Sequence, residues 1–264
     1  MSGQIGIQEQ LRRLAHAYGE LSETMLESMD GFTSRGGWEH ALQLSTIGLV
    51  AKARCTTRAI LLLLDQDFVG EAQVLLRVLV ELTVIALAIG RRPKERAPLY
   101  LNFLHIARYE QWERAATDVA LRKALFEEDP RQAGRLKANY EQHRETYTTR
   151  KGGTRHKWHR ERPRDLAREV DLGDLWNAMY GIDSALVHSG PDCLRLYVRE
   201  TRPRQLDIGP QAKETRTVRV LLDVTTCMER VLQHFLDVFP SDDGRDQLAQ
   251  LGRQRQAVFS RSPL

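Results

Sequence analysis

Three polar side chains stand at steps of four residues on one predicted helix, where they could act on a single group. They are Tyr180, Ser184 and His188, and the Gly190-Pro191 pair that follows is typical of a helix end. His188 then lies in the last turn, where the negative end of the helix dipole favours the protonated imidazole. Such an imidazole suits general acid catalysis or contact with a phosphate. The alternative is a ladder that faces water, because the apolar residues of this helix lie on a different face.

A second pair of chemically active residues lies on a helix that is otherwise apolar. Arg77 and Glu81 stand four residues apart within the run from Val74 to Ile89 and can form an ion pair on one face. Charges on such a helix form either a narrow solvated stripe or a buried polar cluster that needs partners from other elements. The sequence leaves both interpretations open.

In the cluster interpretation, each of these side chains has a role in a phosphodiester site. Arg77, oriented by Glu81, binds an anionic group such as a phosphate through its planar fork of donors. His188 donates or accepts the proton, while Tyr180 and Ser184 position the substrate or a water molecule. These five residues are the predicted catalytic site.

An arginine-rich loop is the second predicted site. Residues 150–164 read RKGGTRHKWHRERPR, with one acid among seven Arg or Lys, and the Gly and Pro residues indicate a loop. Cations beside an aromatic ring are typical of contacts with single-stranded nucleic acid. A solvated charged loop is the alternative. The predicted nucleic-acid-binding residues are Arg150, Lys151, Arg155, Lys157, Trp158, Arg160 and Arg162.

The sequence predicts no metal site and no cofactor. Helical di-metal proteins carry Glu with His three residues later on paired helices, and this pattern is absent. The remaining set that could converge on a metal ion is Glu81, His105 and His188. A Gly-rich phosphate loop after a strand and a Gly-x-Ser-x-Gly turn are absent too, which argues against nucleoside triphosphatases and α/β-hydrolases.

Helical periodicity covers most of the chain and predicts an all-α protein. The apolar stretch at 59–90 predicts two buried helices joined at Asp67, which can cap the second helix. The second helix is long enough to span a bilayer. Arg77 and Glu81 argue against a span, because each charge is costly in hydrocarbon, and favour a core helix instead.

The predicted architecture is a single domain, 1–264: a helical bundle with a peripheral helical arm and an Arg-rich loop. No repeat or low-complexity tract indicates a domain boundary. Within the domain, 194–208 is either a short strand or an extended crossing. The predicted parts are the N-terminal helix at 1–35, core helices at 37–117, the arm at 118–150, which has little apolar surface, the basic loop and His-bearing helix at 151–208, and C-terminal helices at 209–264.

Composition is that of an ordinary globular protein. Hydrophobic residues make up 42% and charged residues 28% of the chain, and the net charge of +4 permits an acidic partner without requiring one. Three scattered cysteines indicate neither a disulfide framework nor a thiolate zinc site, and the N-terminus lacks the apolar segment of a signal peptide. We expect a cytoplasmic location, RNA or single-stranded nucleic acid as a partner, and no membrane partner. A homodimer is possible.

The order of these motifs over roughly residues 45–190 resembles a bacterial family catalogued only as a domain of unknown function. The similar segments are the run from Asp67 through Leu76–Glu81, a Trp-containing loop leading into Arg164–Ala167, and the ladder that ends at His188. The resemblance implies a mostly helical bundle and no established activity. The positions that it marks as characteristic are Arg77, Glu81, Trp158, Tyr180, Ser184 and His188.

A more distant resemblance is to the HEPN domains of prokaryotic defence and toxin systems, many of which are metal-independent ribonucleases. Their motif is an Arg and a His four to six residues apart near a helix end. The match here is Arg150 and His156, in the loop rather than on a helix, and Arg77 with His188 could supply the same groups from two helices. This implies a metal-independent, RNA-directed phosphodiester-cleaving protein of a bacterial defence or toxin type. The alternatives are a non-enzymatic protein that binds a small anionic ligand or nucleic acid, and a helical scaffold.

Overall fold

The structure, a computed structural model, describes residues 2–33, 36–115, 118, 120, 130–150, 152–187, 197–202, 205–208 and 214–260. These residues are mostly α-helical, and the strands among them form a two-stranded antiparallel hairpin in which Val198 pairs with Ile208. The predicted all-α fold class is confirmed. The hairpin lies in the segment for which the sequence left a strand or a crossing open.

The elements in chain order are α1 (Ser2–Glu27), α2 (Gly37–Asp65), α3 (Val69–Arg91), α4 (Pro93–Ala115), α5 (Pro130–His143), a short 3-10 helix (Arg144–Tyr147), α6 (Pro163–Glu169), α7 (Gly173–Val187), β1 (Val198–Arg202), β2 (Gln205–Ile208), α8 (Glu214–Val238) and α9 (Asp242–Phe259). The two helices predicted around Asp67 are α2 and α3. Asp67 itself has a φ of 59° in the link, and α3 begins at Val69, so Phe68 stands in the cap position that the sequence predicted for Asp67.

The chain divides into two compact units. The first contains residues 1–34, 46–91 and 162–264, and the second contains 35–45 and 92–161. The boundary at 45 falls inside the continuous helix α2. No break in composition marks it, because a helix that runs through a boundary keeps its periodicity.

The core of the first unit is built around α8. This helix packs against α1, α3 and α9, and 15 of its 25 residues are buried. Buried polar residues such as Asp223 and His234 lie among the apolar ones. They give α8 an amphipathic sequence pattern, although its position is central.

Helix α3 is the second of the two buried helices that the apolar stretch at 59–90 predicts. It is long and apolar enough to span a membrane by length and composition, with a mean hydropathy of 2.1, and half of its most apolar window is buried within the protein. Residues such as Leu76, Leu79 and Val80 belong to the main hydrophobic core. The helix packs against α6, α7 and α8, as a core helix does.

The predicted peripheral arm belongs to the second unit. Its helix α5 packs against α4, with Leu136 buried and the Tyr140 ring stacked on Tyr109 at 4.3 Å between ring centres. The arm therefore buries more apolar surface than its charged sequence indicated. The stacked aromatic rings and the buried leucine help to hold α5 on α4.

A close approach between α3 and α8 occurs at Gly90. A Cβ atom at Gly90 would lie 2.8 Å from Nδ1 of His234, whose side chain is buried and whose Nε2 is hydrogen-bonded to the Thr46 hydroxyl at 3.1 Å. The ring is held in place by that bond and by its packing. Burial lowers the pKa of His234 to about 4, and the carboxylate of Asp237 opposes part of that shift.

The substitution Gly90→Ala should destabilise the protein by about 1–3 kcal/mol, because the added methyl group overlaps the immobilised His234 ring. Gly48→Ala is the matched control, since a Cβ atom at this exposed position of α2 meets nothing within 4 Å. Alanine should stabilise that helix position by up to about 1 kcal/mol. Urea unfolding measures both values, and equal stabilities for the two variants would contradict the close approach.

The free energy of unfolding should fall as the pH drops from about 6.5 to about 4. In this window the unfolded chain protonates His234 and the folded protein does not, so protons favour unfolding. The loss attributable to this residue is at most about 3 kcal/mol. His234→Gln removes the titration and keeps a group that can bond Thr46. The stability difference between wild type and variant should shrink towards pH 4, and a constant difference would contradict the buried neutral imidazole.

Candidate functional site

The helices α3 and α7 pack against each other and bring together three of the five predicted catalytic residues. The Arg77 guanidinium carbon lies 4.0 Å from the centre of the Tyr180 ring. Its Nε atom lies 3.5 Å from Oε1 of Glu81, and the Tyr180 hydroxyl donates a hydrogen bond of 2.6 Å to the same oxygen. Cation, carboxylate and phenol therefore form one closed group, called here the Arg77 cluster (Arg77, Glu81 and Tyr180).

Arg77 is not part of a solvated stripe. Its side chain is only 17% exposed, while that of Glu81 is 42% exposed. The Nη1 atom of Arg77 is buried and has no hydrogen-bond partner among the residues that the structure describes. Leaving a buried donor without a partner costs about 1–3 kcal/mol, and more for a charged group. This nitrogen is therefore a place where an anionic group would be stabilised.

The aromatic side of the cluster is held by α7. Tyr180 stacks on Trp176, one turn earlier, with 4.3 Å between ring centres, and Trp176 is itself buried in the main core. Burial first, and then the hydrogen bond to the carboxylate of Glu81, raise the pKa of the Tyr180 hydroxyl. Tyr180 consequently stays protonated near neutral pH and acts as a donor to Glu81.

The two other predicted catalytic residues follow Tyr180 on the chain. Ser184 belongs to α7, which ends at Val187, and its side chain lies outside the described residues. His188 also lies outside them. Their roles stay predictions that rest on helical spacing, which places Ser184 one turn beyond Tyr180.

A second tyrosine–carboxylate pair, in which Glu71 of α3 supplies the carboxylate, was missed by the sequence prediction. The Tyr197 hydroxyl donates a hydrogen bond to Oε1 of Glu71, and the other carboxylate oxygen, Oε2, is buried without a partner among the described residues. The two residues are 126 positions apart. No local pattern connects them, so only the fold reveals the contact.

In the second unit, the basic loop does not present its tryptophan to solvent. Trp158 is 6% exposed and packs edge-on against Tyr100, with 5.4 Å between ring centres. A base could stack on this indole only if the packing were undone. The exposed stacking surface that the sequence predicted at Trp158 is therefore absent.

Arg155 is also part of the internal packing of the loop. Its guanidinium lies over the Tyr147 ring, 5.2 Å from the ring centre, and it donates a hydrogen bond to the carbonyl of Thr146. The Tyr147 hydroxyl in turn donates to the carbonyl of Leu99 at 2.6 Å. Burial is the main reason that the pKa of Arg155 is lowered. The side chain fastens the loop to the unit.

The single acid of the loop serves the same purpose. Glu161 accepts a hydrogen bond of 3.2 Å from Arg96 of α4, whose side chain is 2% exposed. The neighbouring His159 side chain is 8% exposed, and burial lowers its pKa. The remaining cations of the predicted interface are exposed where described, and Lys151 lies outside the described residues. The exposed ones are Arg150, Lys157, Arg160 and Arg162.

The other sets considered from the sequence, Arg150 with His156 and Glu81 with His105 and His188, stay predictions. Arg150 and His156 are both exposed in the loop and not on a helix. Within the described residues, no group of three or more His, Cys, Asp or Glu could hold a metal ion. His105 belongs to the second unit, where it stacks on His143, whereas Glu81 belongs to the first.

The substitution Tyr180→Phe should cost about 1 kcal/mol of stability, because it removes only the hydrogen bond to the partly exposed Glu81. Tyr180→Leu also removes the ring beneath Arg77 and the stacking on Trp176, so it should cost at least about 1 kcal/mol more. Urea unfolding of both variants measures the difference. Equal losses would show that the guanidinium gains nothing from the ring.

Comparison with known proteins identifies a family. The model of a family of unknown function (DUF5677) matches residues 44–205, which is more than half of the chain and includes the whole Arg77 cluster. No curated protein and no solved structure matches. The match agrees with the resemblance found in the order of sequence motifs. The chain therefore belongs to the DUF5677 family.

Proposed function

We propose that the protein is a metal-independent phosphodiester-cleaving enzyme that acts on RNA, with the Arg77 cluster as its phosphate-binding site. The observation that carries this proposal is the buried Nη1 of Arg77, which lacks a partner among the described residues. A phosphate is a suitable acceptor for a guanidinium, because its oxygens can accept two parallel N–H bonds.

The surroundings of Arg77 support binding of an anion. Glu81 neutralises one side of the guanidinium, and the Tyr180 ring covers a face, so the side chain is fixed before a ligand arrives. A pre-oriented cation in a partly dry site stabilises negative charge that develops on phosphoryl oxygens. Glu81 keeps its orienting role because the Tyr180 hydroxyl donates to it.

Cleavage also needs a group that moves protons, and His188 has that role in the proposal. The RNA 2′-hydroxyl loses its proton, its oxygen bonds to phosphorus, and the 5′-oxygen leaves and takes up a proton. Histidine can serve as base or acid in these steps near neutral pH. The helical spacing from Tyr180 supports its place near the cluster. Arg77 and His188 would supply the Arg and His that HEPN domains carry. We also propose that the protein is a bacterial defence or toxin protein that acts in the cytoplasm.

A non-enzymatic protein that binds a small anionic ligand is the second candidate. One observation favours it: within the described residues, the hydroxyl of Tyr180 is committed to Glu81 and has a raised pKa, so it supplies no base near neutral pH. The Arg77 cluster alone recognises an anion without any reaction. A homodimer stays a prediction for either candidate.

End-labelled RNA incubated with the full-length protein should be cleaved equally with and without EDTA. His188→Ala should abolish cleavage with an almost unchanged thermal midpoint, because the role proposed for His188 is proton transfer. Arg77→Lys should lower the rate by about 10²–10³-fold, because lysine keeps the charge and loses the planar fork.

The matched control is Arg58→Lys, at an exposed position of α2. This substitution should leave the rate of cleavage unchanged. RNA that stays intact in both conditions would contradict the enzyme. Mass spectrometry of small molecules carried through purification would then test the second candidate. A bound anion that is lost in Arg77→Lys would support it.

A further inference from the structure

A groove of about 890 Å³ runs between α8 and α9 in the first unit. Residues 229–233 line it from α8, and residues 245–259 line it from α9. Gly252 forms part of the wall, and a Cβ atom there would lie 3.2 Å from Oε1 of Glu229. The absence of a side chain at Gly252 thus keeps this part of the groove open.

The lining of the groove is strongly basic. Four arginines face a single acid there, and Glu229, the acid, is already bound at 2.6 Å by the Nε atom of Arg255. Three guanidinium charges remain without an opposing carboxylate in the lining. Charge of one sign along a concave surface concentrates its field on a ligand of the opposite sign.

Two of the arginines are held in position. Arg230 donates a hydrogen bond of 2.8 Å to the carbonyl of Val170, and Arg255 donates one of 3.0 Å to the Thr226 hydroxyl in addition to its bond to Glu229. Such side chains lose less conformational freedom when a ligand binds. The affinity that they contribute is correspondingly larger.

The other two arginines are available to a ligand. Arg245 and Arg253 are exposed on α9, and neither side chain pairs with any residue in the described part of the chain. They stand eight residues apart, about 12 Å along the helix. That distance is suited to contacting more than one phosphate of an extended strand.

An exposed aromatic ring lies at the end of the groove. Phe259 is 45% exposed, and the guanidinium of Arg255 lies 6.0 Å from its ring centre. A half-exposed phenyl ring beside phosphate-binding cations is the combination by which proteins hold single-stranded nucleic acid, with a base stacked on the ring. The buried Trp158 does not provide this surface, whereas Phe259 does.

We propose that this groove binds single-stranded RNA, with Arg245 and Arg253 on its phosphates and a base stacked on Phe259. The proposal rests on the proposed function in that it gives the RNA substrate a second point of attachment on the same unit as the Arg77 cluster. An acidic protein segment would satisfy the arginines. It would leave the phenyl ring without a flat partner, which favours RNA.

Fluorescence anisotropy of the full-length protein with a labelled 2′-O-methyl oligouridylate tests the groove. The probe of about 12 nucleotides lacks the free 2′-hydroxyl that cleavage needs. Affinity should fall steeply between about 50 and 200 mM salt. The double variant Arg245→Gln, Arg253→Gln should bind at least about 10-fold more weakly and lower the slope of log affinity against log salt by about 1.4, which is about 0.7 for each lost contact.

The matched control is the double variant Lys52→Gln, Arg58→Gln, which removes the same charge from exposed positions on α2. It should bind within about 2-fold of wild type, because the effect of net charge alone is small beside that of direct contacts. Phe259→Leu should bind about 5-fold more weakly with an unchanged salt slope, and Phe259→Tyr should restore binding.

Equal binding by the two double variants would overturn the inference. Displacement of the probe by a poly-glutamate peptide of equal charge would overturn it in favour of an acidic protein partner. The proposed function is judged apart from these results, since Arg77→Lys should lower the rate of RNA cleavage by about 10²–10³-fold and leave the salt slope of probe binding unchanged, because lysine keeps the charge. A wild-type protein that binds the probe and leaves RNA uncut would contradict the enzyme and support the groove.

Discussion

The packing of one guanidinium between an aromatic ring and a carboxylate constrains how α3 packs against α7 in the first unit. Arg77 is largely removed from water, and its charge is compensated by Glu81 and by the face of Tyr180. This compensation requires α3 and α7 to lie at a fixed height relative to each other. Trp176, which stacks on Tyr180 within α7, is buried in the main core and anchors α7 there. One donor, Nη1, is left without a partner among the described residues, and a site that is stable but incomplete in this way is suited to an anionic ligand.

Local patterns predicted the parts of this arrangement that local geometry controls. The four-residue spacing of Arg77 and Glu81 put both on one helix face, and the apolar runs predicted α2 and α3 as two helices. The sequence did not show whether that face is exposed to water or packed against α7. The contact that decides it, between Tyr180 and Glu81, joins residues 99 positions apart in the sequence. Periodicity shows which residues share a face, and it does not show what covers the face.

Arginine-rich segments in this chain illustrate the same limit. The basic loop looked like a surface interface by composition, yet Arg155 lies over Tyr147 and Trp158 is buried against Tyr100. No sequence pattern predicted the groove between α8 and α9. Its arginines are dispersed over two helices and become neighbours only when those helices pack. Burial and partners decide the role of a cation, and both are properties of the fold.

The central claim is that the Arg77 guanidinium is a pre-oriented phosphate-binding group. The most direct test follows the Arg77 side-chain N–H signals of the ¹⁵N-labelled full-length protein by NMR while uridine 3′-monophosphate is added, with assignment by comparison with Arg77→Lys. The account predicts a slowly exchanging Nε–H signal in the free protein that shifts saturably with the nucleotide. A signal that exchanges rapidly with water and does not move during the titration would contradict it.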